Sequence, residues 1–265
     1  MTPEVIELQP LDLALAGGGV ILLAALSWAG RLGIGRSLLI AAARTVVQLL
    51  LVGLVLETLF AHATLYWVAL MGLVMLLVAG REVMARQKRR FAGLWGFGLG
   101  TAAMFLSSFS VAVLALTTLI QPQPWHQPQY AIPLLGMLLG NTMNGIALSV
   151  DRLTDGAWQQ RDVIETRLAL GATWNAAVEP IRRDATRSGM IPMINAMAAA
   201  GIVSLPGMMT GQILAGTPPL EAVKYQILIM FLITVGTGFG TLAAVWFAAR
   251  RLFDERERLR LDRLR

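Results

Sequence analysis

Apolar stretches of about twenty residues recur along the chain and are separated by short polar connections. A helix needs about 20 apolar residues to cross roughly 30 Å of hydrocarbon, and each of these stretches meets or approaches that length. The pattern predicts an all-α protein with about seven transmembrane helices. The predicted spans are residues 11–30, 38–60, 65–80, 97–120, 130–150, 190–215 and 222–249.

Composition supports a membrane protein. Hydrophobic residues make up 56% of the 265 residues, charged residues make up 14%, and the mean hydropathy is +0.64. A soluble domain of this size could not bury so much apolar surface in its core, so lipid must be the solvent for most of it. Without internal repeats or low-complexity segments, residues 1–265 are predicted to form a single transmembrane domain.

The basic residues are distributed unevenly. Of the 22 Lys and Arg residues, only Arg44 and Lys224 lie outside four clusters at residues 31–36, 81–90, 152–187 and 250–265. These clusters follow the first, third, fifth and seventh predicted spans. Since cytoplasmic loops retain Lys and Arg, we expect an external N-terminus and a cytoplasmic C-terminus. Membrane orientation thus explains the net charge of +6 without nucleic acid as a partner.

Motifs for catalysis are absent from the sequence. There is no cysteine, and neither Lys88 nor Lys224 is followed by the Ser or Thr of a phosphate-binding loop. His62 and His126 lie far apart, in predicted external connections, and no paired carboxylates accompany them. The first ten residues carry no Lys or Arg, so the first apolar stretch should remain as a membrane span. We expect a non-enzymatic chain that binds no cofactor itself.

The longest predicted cytoplasmic segment, residues 151–189, contains a short helix signal. Asp162 and Glu165 have the spacing of reciprocal N-terminal caps, and Gly171 fits a helix stop. A two-turn helix with this much apolar surface needs a partner, in its own subunit or in another. Its apolar residues are Val163, Ile164, Leu168 and Leu170.

This segment resembles the coupling helix of ABC-transporter membrane subunits, in which a Glu is followed after five residues by Gly-Ala, here Glu165 and Gly171-Ala172. Further motifs occur in order at residues 140–149, 192–195 and 205–216. Together they resemble the FetB-like family of iron or metal-export permeases, whose plant relatives are linked to aluminium tolerance.

The resemblance implies a permease subunit in the cell inner membrane that exports a metal ion such as iron and serves metal homeostasis. It also implies a homodimer, paired with a separate ABC-type ATPase that holds ATP and Mg. The residues expected to couple to that ATPase are Asp162, Glu165, Leu168, Gly171 and Ala172.

Other interpretations remain open at the level of sequence. The chain could act as a stand-alone secondary transporter of a small solute, or as a non-transporting membrane scaffold. The short helix could equally be an ordinary amphipathic connection.

Polar groups within the predicted spans are candidates for a transport pathway, because unpartnered polar groups are costly in lipid. Each also has a simpler explanation. Arg44 could reach the headgroups, the carboxamides could bond between helices, and Glu57 could lie at the interface. The candidates are Arg44, Gln48, Glu57, Asn141, Asn144 and Asn195.

A predicted break in the sixth span forms the candidate gate. Pro206 removes a helical hydrogen bond, and broken helices often line transporter sites. Methionines nearby offer soft thioether ligands, but Fe(II) prefers imidazole or carboxylate ligands, and methionine commonly serves as flexible packing. The metal ligands therefore remain unknown. The gate candidates are Pro206, Gly207, Met208, Met209 and Gln212.

Overall fold

The structure, a computed structural model, describes residues 9–61 and 64–265. The predictions for residues 1–8 and for His62 lie outside these ranges. The described residues form α-helices and no β-strand. The helices are α1 (Pro10–Ala29), α2 (Gly35–Ala61), α3 (Leu65–Ala85), α4 (Leu94–Ile120), α5 (Pro128–Gln159), α6 (Arg161–Ala169), α7 (Trp174–Ala199), α8 (Gly207–Leu214) and α9 (Pro219–Arg251).

Six helices in the described ranges, α1 to α5 and α9, are long and apolar enough to cross a membrane. Their outward faces carry many exposed large apolar side chains, and the most apolar stretch of α2 has no buried residue. Such surfaces suit lipid, because lipid tails are as apolar as the side chains. The predicted all-α, polytopic membrane class is confirmed, while the orientation and the count of seven spans stay predictions.

The sixth predicted span, residues 190–215, is not one continuous helix. Helix α7 ends at Ala199, an irregular segment follows, and α8 begins at Gly207, directly after Pro206. Gly201 has a φ of +81°, a conformation that favours glycine, so the chain turns away from the helix axis there. The break lies where the sequence predicted it, but it occupies about two turns rather than a single kink.

The chain divides into two compact units, each described here by itself. The first holds α1 and α2 with the stretch Leu214–Gly216, and the second holds residues 64–213 and 217–265. In the second unit α5 is the central helix and packs against α3, α7 and α9. Leu138, Ile146 and Leu153 of α5 are fully buried. The prediction of one permease domain stays a prediction.

Glycines let α5 and α7 cross at very short distance. A Cβ atom on Gly189 of α7 would lie 2.5 Å from the carbonyl oxygen of Gly145 on α5. A Cβ on Gly145 would in turn lie 2.8 Å from Cγ2 of Thr237 on α9. Close backbone approach between small residues is the usual means of packing helices in membranes. The backbones of α5 and α7 are therefore in contact, and α9 packs against α5 through the side chain of Thr237.

On the side of the basic clusters, α5 and α7 extend beyond the predicted spans, to Gln159 and from Trp174 respectively. The hydroxyl of Thr173 caps α7 by accepting a hydrogen bond from the N–H of Ala176 at 3.4 Å. Arg152 on α5 donates to Asp184 on α7 at 2.6 Å. The segment 151–189 is thus mainly two long helices joined by α6, rather than a loop around one short helix.

Candidate functional site

Helix α6 joins α5 to α7 with very short connections. It begins at Arg161, one residue after the junction residue Gln160, and ends at Ala169. The first turn lacks the predicted side-chain cap, and Asp162 lies inside that turn, where its charge favours the helix N-terminus. Gly171 has a φ of +89° and ends the helix as predicted.

One face of α6 is packed on its own subunit, and the opposite face is free. Ile164 is 1% exposed and belongs to the core of the second unit, and Leu168 packs against the same core. Val163 is 47% exposed and Leu170 is 82% exposed. Two apolar side chains on so short a solvated helix favour a protein partner on the free face.

Four of the five predicted coupling residues line one groove. Glu165, Leu168, Gly171 and Ala172 form one wall of an open depression of about 780 Å³. Asp162 does not line it. Its side chain is highly exposed and forms an ion pair with Arg161 at 3.2 Å.

The other wall of the groove is the C-terminal segment Glu255–Leu259, which the sequence interpretation missed. That interpretation used the basic residues of this region only to orient the chain in the membrane. The sequence did contain a local indication that this segment packs against the protein, because the apolar residues Leu252, Phe253 and Leu259 interrupt the run of charges. Leu252 and Phe253 are buried, and Leu259 packs against the core.

Hydrogen bonds hold this C-terminal segment in place. The backbone N–H of Trp174, at the start of α7, donates to Oε2 of Glu257 at 3.1 Å. The rings of Trp174 and Phe253 are 5.8 Å apart. The backbones of Arg90 and Arg265 exchange two hydrogen bonds, of 3.0 and 2.8 Å. Glu257 of the segment and the flanking Phe253 therefore contact the start of α7, and the chain end at Arg265 contacts the α3–α4 connection.

Asp254 organises the turn that carries the groove residues. Its carboxylate accepts hydrogen bonds from the backbone N–H groups of Arg256 and Arg258, both at 2.9 Å. It also accepts from Nε of Arg258 at 2.8 Å. These bonds, above all the one from the Arg258 backbone, stabilise the charged form and lower the pKa of Asp254.

The side chain of Asn144 is hydrogen-bonded to a basic residue. Arg86, from the second basic cluster, donates to Oδ1 of Asn144 at 2.5 Å. Two residues after Arg86, the N–H of Lys88 donates to Asp151, seven residues after Asn144, at 2.7 Å. Asn144 thus lies within reach of a predicted cytoplasmic connection and joins α5 to it.

Asn141 and Asn195 present exposed carboxamides on α5 and α7. Asn141 donates to the carbonyl oxygen of Met137 in its own helix at 2.8 Å. Neither side chain is buried by the second unit. Exposed carboxamides within predicted spans suit a wet pathway or a second protein surface better than lipid. No contact among the described residues tests the predicted pathway role of these two side chains.

The break between α7 and α8 borders a cavity of about 500 Å³. Pro206 and Met209 line it, together with Met197 and Met230 and with Gln226, which is 8% exposed. No group of three or more His, Cys, Asp or Glu residues that could hold a metal occurs in residues 9–61 and 64–265.

The remaining gate candidates belong to α8. Gly207 begins this helix, Met208 packs against the core, and Gln212 is partly buried. Oε1 of Gln212 has no hydrogen-bond partner among the described residues. These side chains are brought to the break, but their role in a gate stays a prediction.

The first unit holds the other pathway candidates. Arg44, Gln48 and Glu57 are exposed side chains of α2, and Arg44 and Gln48 lie one turn apart. A helical spacing of four residues places Arg44 and Gln48 on the same face of α2, as the sequence predicted.

Comparison with known proteins gives consistent results. The family model described as "Uncharacterised protein family (UPF0014)" matches residues 10–253. The chain is 40% identical to the Synechocystis "UPF0014 membrane protein slr1647", over 98% of this chain and 99% of that protein. It is 30% identical to the Escherichia coli "Probable iron export permease protein FetB", over 96% of each.

A plant protein is also similar. The chain is 32% identical to the Arabidopsis thaliana "Protein ALUMINUM SENSITIVE 3", over 80% of this chain and 75% of that protein. No solved structure matches the chain significantly. The residues matched by the family model include the predicted membrane spans, α6 and the break before α8. The chain therefore belongs to the UPF0014 family of permease-like membrane proteins.

Proposed function

We propose that this chain is the membrane-spanning permease subunit of an ABC transporter that exports a metal ion such as iron. In this proposal two copies form the pathway in the cell inner membrane, and a separate ATPase subunit binds ATP and Mg. The main support for the proposal is that α6 packs one face against its own subunit and leaves another face exposed. The name of the Escherichia coli relative supports the direction and the metal.

Coupling through α6 follows from its connections. A single residue, Gln160, separates α6 from α5, and four residues separate it from α7. Ile164 fixes α6 to the core, so a push on the exposed face moves the attached ends of α5 and α7. Helices with backbones in contact move as packed units rather than bending independently.

The far end of α7 leads directly into the break before α8. In our proposal, ATP-driven approach of the two ATPases displaces α6, α7 tilts, and the irregular segment before Pro206 absorbs the change. Hinges are commonly a few irregular residues that absorb large changes in φ and ψ. The pathway then opens alternately to the two sides of the membrane.

Reconstitution with the copurifying ATPase tests this function. We expect Fe(II) to stimulate ATP hydrolysis and to be transported in proteoliposomes. Glu165→Arg should lower the stimulated ATPase activity about tenfold or more, because the reversed charge repels an ATPase surface that is complementary to the wild-type carboxylate. Glu179→Arg serves as the control: this position on α7 is exposed and lies outside the groove, and its carboxylate pairs with Arg183 of the same helix at 2.6 Å.

Two results contradict the proposal. One is wild-type activity of both variants with the ATPase fully bound. The other is transport by the purified chain alone in liposomes without ATP, which identifies a secondary transporter.

A further inference from the structure

The C-terminal segment Glu255–Leu259 faces α6 across the groove. The use of its basic residues to orient the chain in the membrane does not explain this position. We propose that this segment is the second half of the ATPase docking surface, so that the partner binds between α6 and the C-terminal segment. The inference rests on the proposed function and adds a binding surface to it.

The groove has an apolar floor and a charged rim. Leu168 and Leu259 form the floor from opposite walls, and both pack against the core. The rim carries Glu165 and Glu255, for which no ion pair occurs among the described residues. An occupant of the floor must be a protein segment with an apolar side chain.

The charges on the rim indicate which kind of protein segment can bind in the groove. Three carboxylates line the groove, those of Glu165, Glu255 and Glu257, whereas the positive charge of Arg258 is paired with Asp254 at 2.8 Å. Arg256 is left as the opposing charge. A predominantly acidic rim repels anionic phospholipid headgroups, nucleic acid and the same groove of a second copy, and it favours a segment with Lys or Arg beside the apolar residue.

The wall is formed before the partner arrives. Phe253 is buried, Glu257 accepts the N–H of Trp174, and Asp254 fixes the turn between them. A disordered tail pays the cost of ordering when it binds, and a fixed wall avoids that cost. The same hydrogen bond ties the wall to the first residue of α7, so force on the wall reaches the helix that α6 also moves.

Site-specific crosslinking tests the second wall, and the chain has no native cysteine to interfere. Single-cysteine variants Glu165→Cys, Glu255→Cys and Arg256→Cys are labelled with a benzophenone maleimide and then assembled with the ATPase. Glu179→Cys on α7, outside the groove, is the control. We expect crosslinks to the ATPase from residues 165, 255 and 256, and at least about fivefold less from residue 179, since only groove residues contact the partner.

The outcomes separate this inference from the proposed function. A crosslink from residue 165 without one from residues 255 and 256 overturns the second wall and leaves α6 as the coupling element. No crosslink from any groove position, with the ATPase present, overturns both. A crosslink between two copies of this chain identifies the groove as a subunit contact and also overturns the inference.

Affinity gives an independent measurement. Glu255→Arg should weaken ATPase binding about tenfold in a pull-down titration without changing the Tm of the detergent-solubilised permease, because Glu255 is exposed and carries no fold contact. Glu179→Arg should leave the affinity unchanged. Equal affinities of wild type and Glu255→Arg contradict the proposed role of this wall.

Discussion

At the scale of single residues, the absence of side chains is as important as their chemistry. Gly189 leaves no room for a methyl group, since the carbonyl oxygen of Gly145 and the Cβ of Ser149 lie 2.5 and 2.9 Å from its ideal Cβ position. Backbone atoms cannot rotate away as a flexible side chain can. The crossing of α5 and α7 therefore depends on glycine at this position.

Gly189→Ala should destabilise the protein by about 1–3 kcal/mol, because the added methyl group forces α7 away from α5. The measurement is the Tm of the purified protein in detergent. Gly140→Ala is the matched control, since nothing lies within 4 Å of its ideal Cβ and alanine favours the helix. A Tm of Gly189→Ala equal to that of Gly140→Ala contradicts the close crossing.

Single residues also show where sequence reasoning about polar groups falls short. Asn141 and Asn144 are three residues apart, and the sequence offered both as candidates for a transport pathway or for bonds between helices. In the structure Asn144 accepts a hydrogen bond from Arg86, whereas Asn141 bonds to its own helix. The sequence distance between Arg86 and Asn144 is 58 residues, so no local pattern reveals that partner.

At the scale of elements, α6 depends on a single buried side chain. Ile164 inserts into the core, while its neighbour Val163 points to solvent. The helix is only nine residues long, and isolated helices of this length are marginal in water. Tertiary packing through Ile164 must supply most of its stability.

Ile164→Ala should loosen α6 selectively, because truncation of a buried Ile costs about 2–5 kcal/mol. We expect faster amide hydrogen exchange in residues 161–172, measured by mass spectrometry, with the exchange of α5 residues 138–153 unchanged. Val163→Ala on the same helix should leave the exchange near wild type. Equal acceleration in both variants indicates that α6 is not anchored through Ile164.

At the scale of the whole molecule, the cytoplasmic assignment of the groove depends on topology. The basic clusters orient the chain, and the odd number of predicted crossings places the termini on opposite sides. The broken sixth span is the crossing on which this count depends, since α7 and α8 are two helices with an irregular segment between them. Whether they cross the membrane together decides the parity.

Labelling of single cysteines in right-side-out membrane vesicles tests the crossing. Gln160→Cys, before α6, should be protected from a membrane-impermeant maleimide, because the predicted orientation places this position on the cytoplasmic side. Pro218→Cys, directly before α9, should be labelled from outside. Both positions are exposed in the structure, so access depends on the membrane alone. Labelling of both positions from the same side contradicts a crossing by α7 and α8.

The sequence by itself determined the class of fold, most span positions and the location of α6. These features are local: the length of an apolar run decides whether a helix can span lipid, and Gly171 ends α6 through its own backbone conformation. The motifs around α6 and Pro206 also indicated the family that the comparisons show.

Only the tertiary structure decided what surrounds those features. The second wall of the groove contacts Trp174 from Glu257, 83 residues away along the chain, whereas the sequence interpretation used the basic residues of this region only to orient the chain. Three further features also depend on residues distant in sequence. They are the burial of Ile164, the contact of Gly145 with Gly189 and the hydrogen bond from Arg86 to Asn144. Periodicity reports which face of an element is apolar, whereas packing decides which distant residue covers it.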